Sequence, residues 1–93
     1  MLLAPGNATA AAVLAARHAD AEILGVRDLN NSTEAKIGVT RLGEAIQFVA
    51  NASVLGYDVR AAMVFYGEPG TPSLRTKDCE KLWDQYGPAL LQP

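Results

Sequence analysis

The chain has 93 residues, of which 49% are apolar and 19% charged, a balance that builds one folded domain over residues 1–93 with a modest core and excludes a disordered segment. Its net charge of -2 and its scattered basic residues leave no electrostatic footprint for nucleic acid, whose affinity rests on clustered Lys and Arg. The lone cysteine, Cys79, excludes an internal disulfide and a cysteine-built zinc cage and suits a cytoplasmic setting, while no apolar run approaches the roughly 18 residues of a membrane span.

Met1 to Ala4 reads as a short apolar lead or first strand, stopped by Pro5-Gly6. It lacks the basic start of a signal peptide, so it is taken as mature structure. Asn7 suits the cap of an alanine-rich helix reaching about Ala19, with Arg17 and His18 complementing the negative end of its dipole. Glu22 to Leu29 is a strand candidate in which Gly25 marks a bulge or a close backbone contact.

Asn30 to Thr33 is a turn, and Glu34 to Arg41 admits two readings. As a helix, Ala35, Val39, Leu42, Ile46 and Val49 recur every three or four residues. As a strand, Ile37 and Val39 alternate with Lys36, Gly38 and Thr40 and form a hairpin with Glu22 to Leu29. The hairpin is favoured, because Gly38 and Gly43 weaken a helix and Val39-Thr40 favour a strand.

Leu42 to Tyr66 then organises the rest. At roughly 100° per residue, Leu42, Ala45, Ile46, Val49 and Ser53 share a helix face, opposed by Gly43, Glu44, Gln47 and Asn51. Phe48, Ala52 and Leu55 widen the apolar arc beyond what a surface helix needs. Gly56 suits the left-handed position that ends such a helix. Val59 to Tyr66 is apolar on both alternating faces past Arg60, the pattern of an interior strand covered on both sides. After the Gly67 to Ser73 loop, Cys79, Leu82, Trp83 and Tyr86 define one face of a helix from about Thr76 to Gly87-Pro88.

The expected fold is therefore a small α/β, mixed α+β domain. A three- or four-stranded sheet is packed by about three helices in the order (β)αβ(β)αβα. A wholly parallel three-stranded sheet is the alternative if Glu34 to Arg41 is helical.

No family signature spans more than a few residues, and the candidate sites rest on local chemistry. Gly6, Asn7 and Thr9, at the start of the first helix, offer free N–H groups for a phosphate or carboxylate, although ordinary capping explains them as well. In open α/β sheets ligands bind beyond the carboxyl ends of strands, which points to Tyr66 and Glu68, with Trp83 as a pocket wall. A His18–Cys79 thiol-imidazole pair is conceivable, but the helix face shared by Cys79 argues for a core residue. The surplus apolar arc at Phe48, Ala52 and Leu55 suggests an oligomer interface, most simply a homodimer.

The sequence implies no cofactor and no metal. It supports a small non-catalytic domain acting through homo-oligomer or protein contacts, and as the alternative a small-molecule or anion-binding protein or small enzyme with its site near Gly6 to Thr9 or Tyr66 to Gly70.

Overall fold

The computed structural model describes residues 10–30, 33–35, 37–67 and 73–93. The elements are α1 (Ala10–Ala15), β1 (Asp20–Leu24), β2 (Arg27–Asp28), β3 (Thr33–Glu34), β4 (Ile37–Arg41), α2 (Leu42–Asn51), β5 (Tyr57–Asp58), β6 (Met63–Tyr66), β7 (Leu74–Arg75) and α3 (Thr76–Tyr86). Short 3-10 turns follow α2 at Ala52–Leu55 and α3 at Gly87–Leu91. Together they make a mixed α+β domain in which helices pack on two small sheets, ordered β4-β1-β6-β7 and β3-β2-β5.

Every strand pair is antiparallel among the described residues. The hairpin reading of residues 34–41 holds, since β4 pairs with β1 and β3 with β2. Both sheets are built from the same ribbons bent at one level. Glu22 to Leu29 is interrupted at Gly25, whose φ of 82° only glycine adopts without strain. An added Cβ there would lie 2.2 Å from the Ala61 carbonyl oxygen. The opposite ribbon turns over residues 59–62, where the Ala62 N–H donates to the Val59 carbonyl at 3.0 Å.

Val59 to Tyr66 is thus not one interior strand. Only Met63–Tyr66 of it is strand, β6, which lies between β1 and β7, and the turn over residues 59–62 separates β6 from β5, which joins β2. Only one face of β6 is covered. Val64 is fully buried beside Ile23 and Leu74, whereas Phe65 and Leu24 on the other face are 40% and 46% exposed. An unbroken apolar run does not reveal how many of its faces find a neighbour.

The core lies between the covered face of the four-stranded sheet and the pair α2 and α3, which pack on each other. Leu42, Ala45, Ile46, Val49 and Ala52 of the α2 segment are buried, as are Cys79 and Leu82 of α3. The free first-turn donors of α2 are met by the chain leading into β1: the Leu42 N–H donates to the Ala19 carbonyl at 2.8 Å and the Gly43 N–H to the Arg17 carbonyl at 2.9 Å. Glu44 accepts from the Thr40 hydroxyl at 2.8 Å and the Arg41 N–H at 3.3 Å. Its pKa is lowered accordingly, first by the Thr40 hydrogen bond.

Gly43 falls on the polar stripe of a helical wheel yet is buried. A Cβ there would sit 1.9 Å from the Leu90 carbonyl oxygen. The Gly87–Leu91 turn folds back across the start of α2, and Leu90 is 1% exposed in the core. Arg17 fastens the same segment, donating from Nε to the Gln92 carbonyl at 3.0 Å.

Candidate functional site

After Asn51 the α2 segment tightens into the 3-10 turn and stops at Gly56, whose φ is 92°. That glycine was legible as a terminator, but the tightening was not. Three residues per turn instead of 3.6 rotate the side chains out of the α-helical register. Ser53, expected on the buried face, is exposed, and Ala52 is buried.

The carbonyl of Gly56 accepts the Leu29 N–H at 3.0 Å. This places the β2–β3 turn beside the 3-10 turn and gathers exposed apolar residues there: Leu29 and Leu55 are 60% exposed and Val54 83%. The patch borders a cleft of about 650 Å³ between this corner and α3. Leu29, Ser53, Tyr57 and Val59 line one side of it, and Thr76, Lys77 and Glu80 of α3 the other.

Asp58 and Arg60 complete the cleft's edge. The Arg60 guanidinium donates to Asp58 from Nε to Oδ1 at 3.1 Å and from Nη2 to Oδ2 at 2.8 Å, while the Arg60 N–H donates to Oδ1 at 3.0 Å. These bonds, the side-chain one foremost, hold the Asp58 carboxyl down at about 2. The Thr76 hydroxyl donates to the Val59 carbonyl, so it is engaged in joining α3 to the β5–β6 connection. On this account neither Asp58 nor Thr76 stands ready as a base or nucleophile.

Phe48, Ala52 and Leu55 do not form a single surface. Ala52 is fully buried, Phe48 is half-buried with its ring edge-on to Tyr57 at 5.3 Å and 62°, and only Leu55 is well exposed. The wide apolar arc arose because α2 faces both the sheet and α3, so most of it is spent inside the molecule. Leu29 and Val54 are the patch residues that sequence reasoning missed. The hydrogen bond that brings Leu29 across from another element has no local signature.

Tyr66 and Trp83 are both half-buried against the core, and no ring contact joins them. Neither borders the cleft at Leu29. Burial raises the Tyr66 hydroxyl pKa. Gly6, Asn7, Thr9 and Glu68 lie outside the described residues.

Cys79 is buried, and desolvation, with Asp78 and Glu80 adding to it, pushes its thiol up to about 12. His18 instead lies on the surface with Nδ1 3.4 Å from Arg41 Nη1. The thiol-imidazole pair does not form. Among the described residues there is no group of three or more His, Cys, Asp or Glu side chains that could hold a metal ion, and no helix long and apolar enough to cross a membrane.

No protein family, curated protein or solved structure matches the chain.

Proposed function

We propose that this protein is a small non-catalytic domain that works through protein contacts, self-association among them, using the apolar corner at Leu29, Val54 and Leu55. The observation that carries the reading is the clustering of these three exposed side chains from two different elements on one corner. Isolated surface apolar residues are ordinary, but a contiguous group rimmed by polar residues marks an interaction site in small domains. Of the neighbouring polar groups, Asp58 is engaged by Arg60 and Thr76 by the Val59 carbonyl.

A second reading, a binder of a small molecule, is favoured by the cleft itself, whose 650 Å³ is within the size range of ligand sites. The two are separated by light scattering over a concentration series together with a thermal-shift screen against metabolites. The contact reading expects a mass above one chain at high micromolar concentration and no stabilising metabolite. A monomer that a metabolite stabilises by about 2.7 kcal/mol at a hundred times its dissociation constant would sink it.

A further inference from the structure

We infer that the recess where the α1–β1 connection meets the start of α2 is a second contact surface, which takes a carboxylate of an acidic protein segment at Arg41 and His18 while an apolar neighbour of that carboxylate rests on Leu91. This goes beyond the contact reading of the Leu29 corner, with which the recess shares no residue.

Three stretches of chain meet around this recess of about 470 Å³. Arg17 and His18 come from the α1–β1 connection, Arg41, Glu44 and Gln47 from the start of α2, and Leu90 and Leu91 from the C-terminal turn. The connection is fixed against α2 by the hydrogen bonds of the Leu42 and Gly43 N–H groups to the Ala19 and Arg17 carbonyls. His18 and Arg41 thereby face each other, with Nδ1 3.4 Å from Nη1.

Donor capacity is left over at this point. A guanidinium only donates, so Nδ1 accepts and the imidazole proton sits on Nε2, free to donate in turn. Arg41 uses one side-chain N–H in this contact and has no ion pair among the described residues, not even with Asp20 across the strand. Arg17 is committed to the carbonyls of Leu14, Gln92 and Pro93, so it sets the C-terminal turn against the recess rather than taking a ligand.

The side-chain charges of the recess are unequal. Arg17 and Arg41 stand against Glu44 alone, and Glu44 already accepts from the Thr40 hydroxyl and the Arg41 N–H. Such a surface attracts an anionic group and disfavours a cationic one. A guanidinium and an imidazole N–H match the two oxygens of a carboxylate.

Exposure decides what carries that carboxylate. His18, Arg41 and Gln47 are exposed, and an isolated ion pair in such a place gains little against water. A free small anion therefore has too few contacts to stay. A peptide segment adds to the charge the burial of an apolar side chain on Leu91, which is 40% exposed beside the buried Leu90.

The experiment is an NMR titration of the full chain with a terminally blocked Ser-Leu-Glu-Leu-Ser peptide, its Ser-Leu-Gln-Leu-Ser and Ser-Gly-Glu-Gly-Ser counterparts, and acetate. The expected result is saturable shifts at His18, Arg41, Gln47 and Leu91 with the first peptide, and binding weaker by about ten-fold with each of the other three. Arg41→Gln and His18→Gln, both at exposed positions, should each lose the same affinity while keeping a native spectrum, and Arg60→Gln, outside the recess, should bind as the wild type does. No shift with the first peptide at millimolar concentration would overturn the inference. Equal binding of the Gln peptide would remove the carboxylate, equal binding of the Gly peptide the apolar neighbour, and equal binding of acetate the protein segment; each would overturn the inference as stated. Wild-type affinity in both Arg41→Gln and His18→Gln would overturn the site. None of these outcomes bears on the Leu29 corner, which light scattering tests separately.

Discussion

Asp58 and Cys79 show how differently two titratable groups in one small domain are treated. Asp58 is held at about 2 by the Arg60 guanidinium and N–H, below its ordinary 3.8. A lowered carboxyl contributes stability that is present above the unfolded value and is lost as pH falls through the folded one, here from about 3.8 toward 2. Arg60→Gln removes the guanidinium, and an NMR titration is expected to find the Asp58 carboxyl shifted upward toward the ordinary value. An unchanged titration would refute the assignment of the shift to Arg60. Cys79 runs the other way. Its thiol is raised from 9.0 to about 12, so its contribution is complete below 9.0 and declines as pH rises toward 12. At neutral pH the native protein should therefore react with iodoacetamide far more slowly than the urea-unfolded chain. Equal rates would show that the thiol is not shielded.

At the scale of elements, the bend shared by the ribbons is the feature most exposed to a single substitution. Gly25 combines a positive φ with the Ala61 carbonyl lying where a Cβ would go. Gly25→Ala is expected to destabilise by about 1 to 3 kcal/mol, from backbone strain and the displaced carbonyl together. Urea denaturation checks this, and a change within a few tenths of a kcal/mol would mean the bend tolerates a side chain. Sequence reasoning marked Gly25 as a bulge or close contact and Gly56 as a helix end, and both are so, because a glycine need is a local backbone property. It did not divide Tyr57 to Tyr66 into two short strands with a turn between them. That division depends on the turn over residues 59–62 lying across from Gly25, a relation between segments far apart in the chain.

For the whole molecule, the closing of the C-terminal turn over α2 is the decisive tertiary event. Leu90 fills the core where Gly43 lets the backbone approach. Leu90→Ala should cost about 2 to 5 kcal/mol through lost burial and the cavity left behind. Gly43→Ala should cost about 1 to 3 kcal/mol by pushing the turn off the helix. If both weaken the same contact, the double variant will lose less than the sum of the single losses, as a thermal or urea cycle would show. Strict additivity would show that Leu90 packs independently of that approach. The candidate site belongs to this scale as well. Leu55 was legible as surplus apolar surface, but Leu29 and Val54 were not, since one is delivered by a hydrogen bond to Gly56 and the other by a change of helical pitch.

The sequence by itself determined the α+β class, the start of α2, the extent of α3 and the burial of Cys79, and favoured the β1–β4 hairpin over a helix. Periodicity, capping and glycine chemistry act within a few residues and are written locally. Only the tertiary structure decided that the sheets are antiparallel and bent, that one face of β6 stays open, that Ala52 is buried, and that the apolar surplus emerges at the Leu29, Val54 and Leu55 corner. Those outcomes depend on which segments meet, and a run of apolar residues records that it must be buried without recording against what.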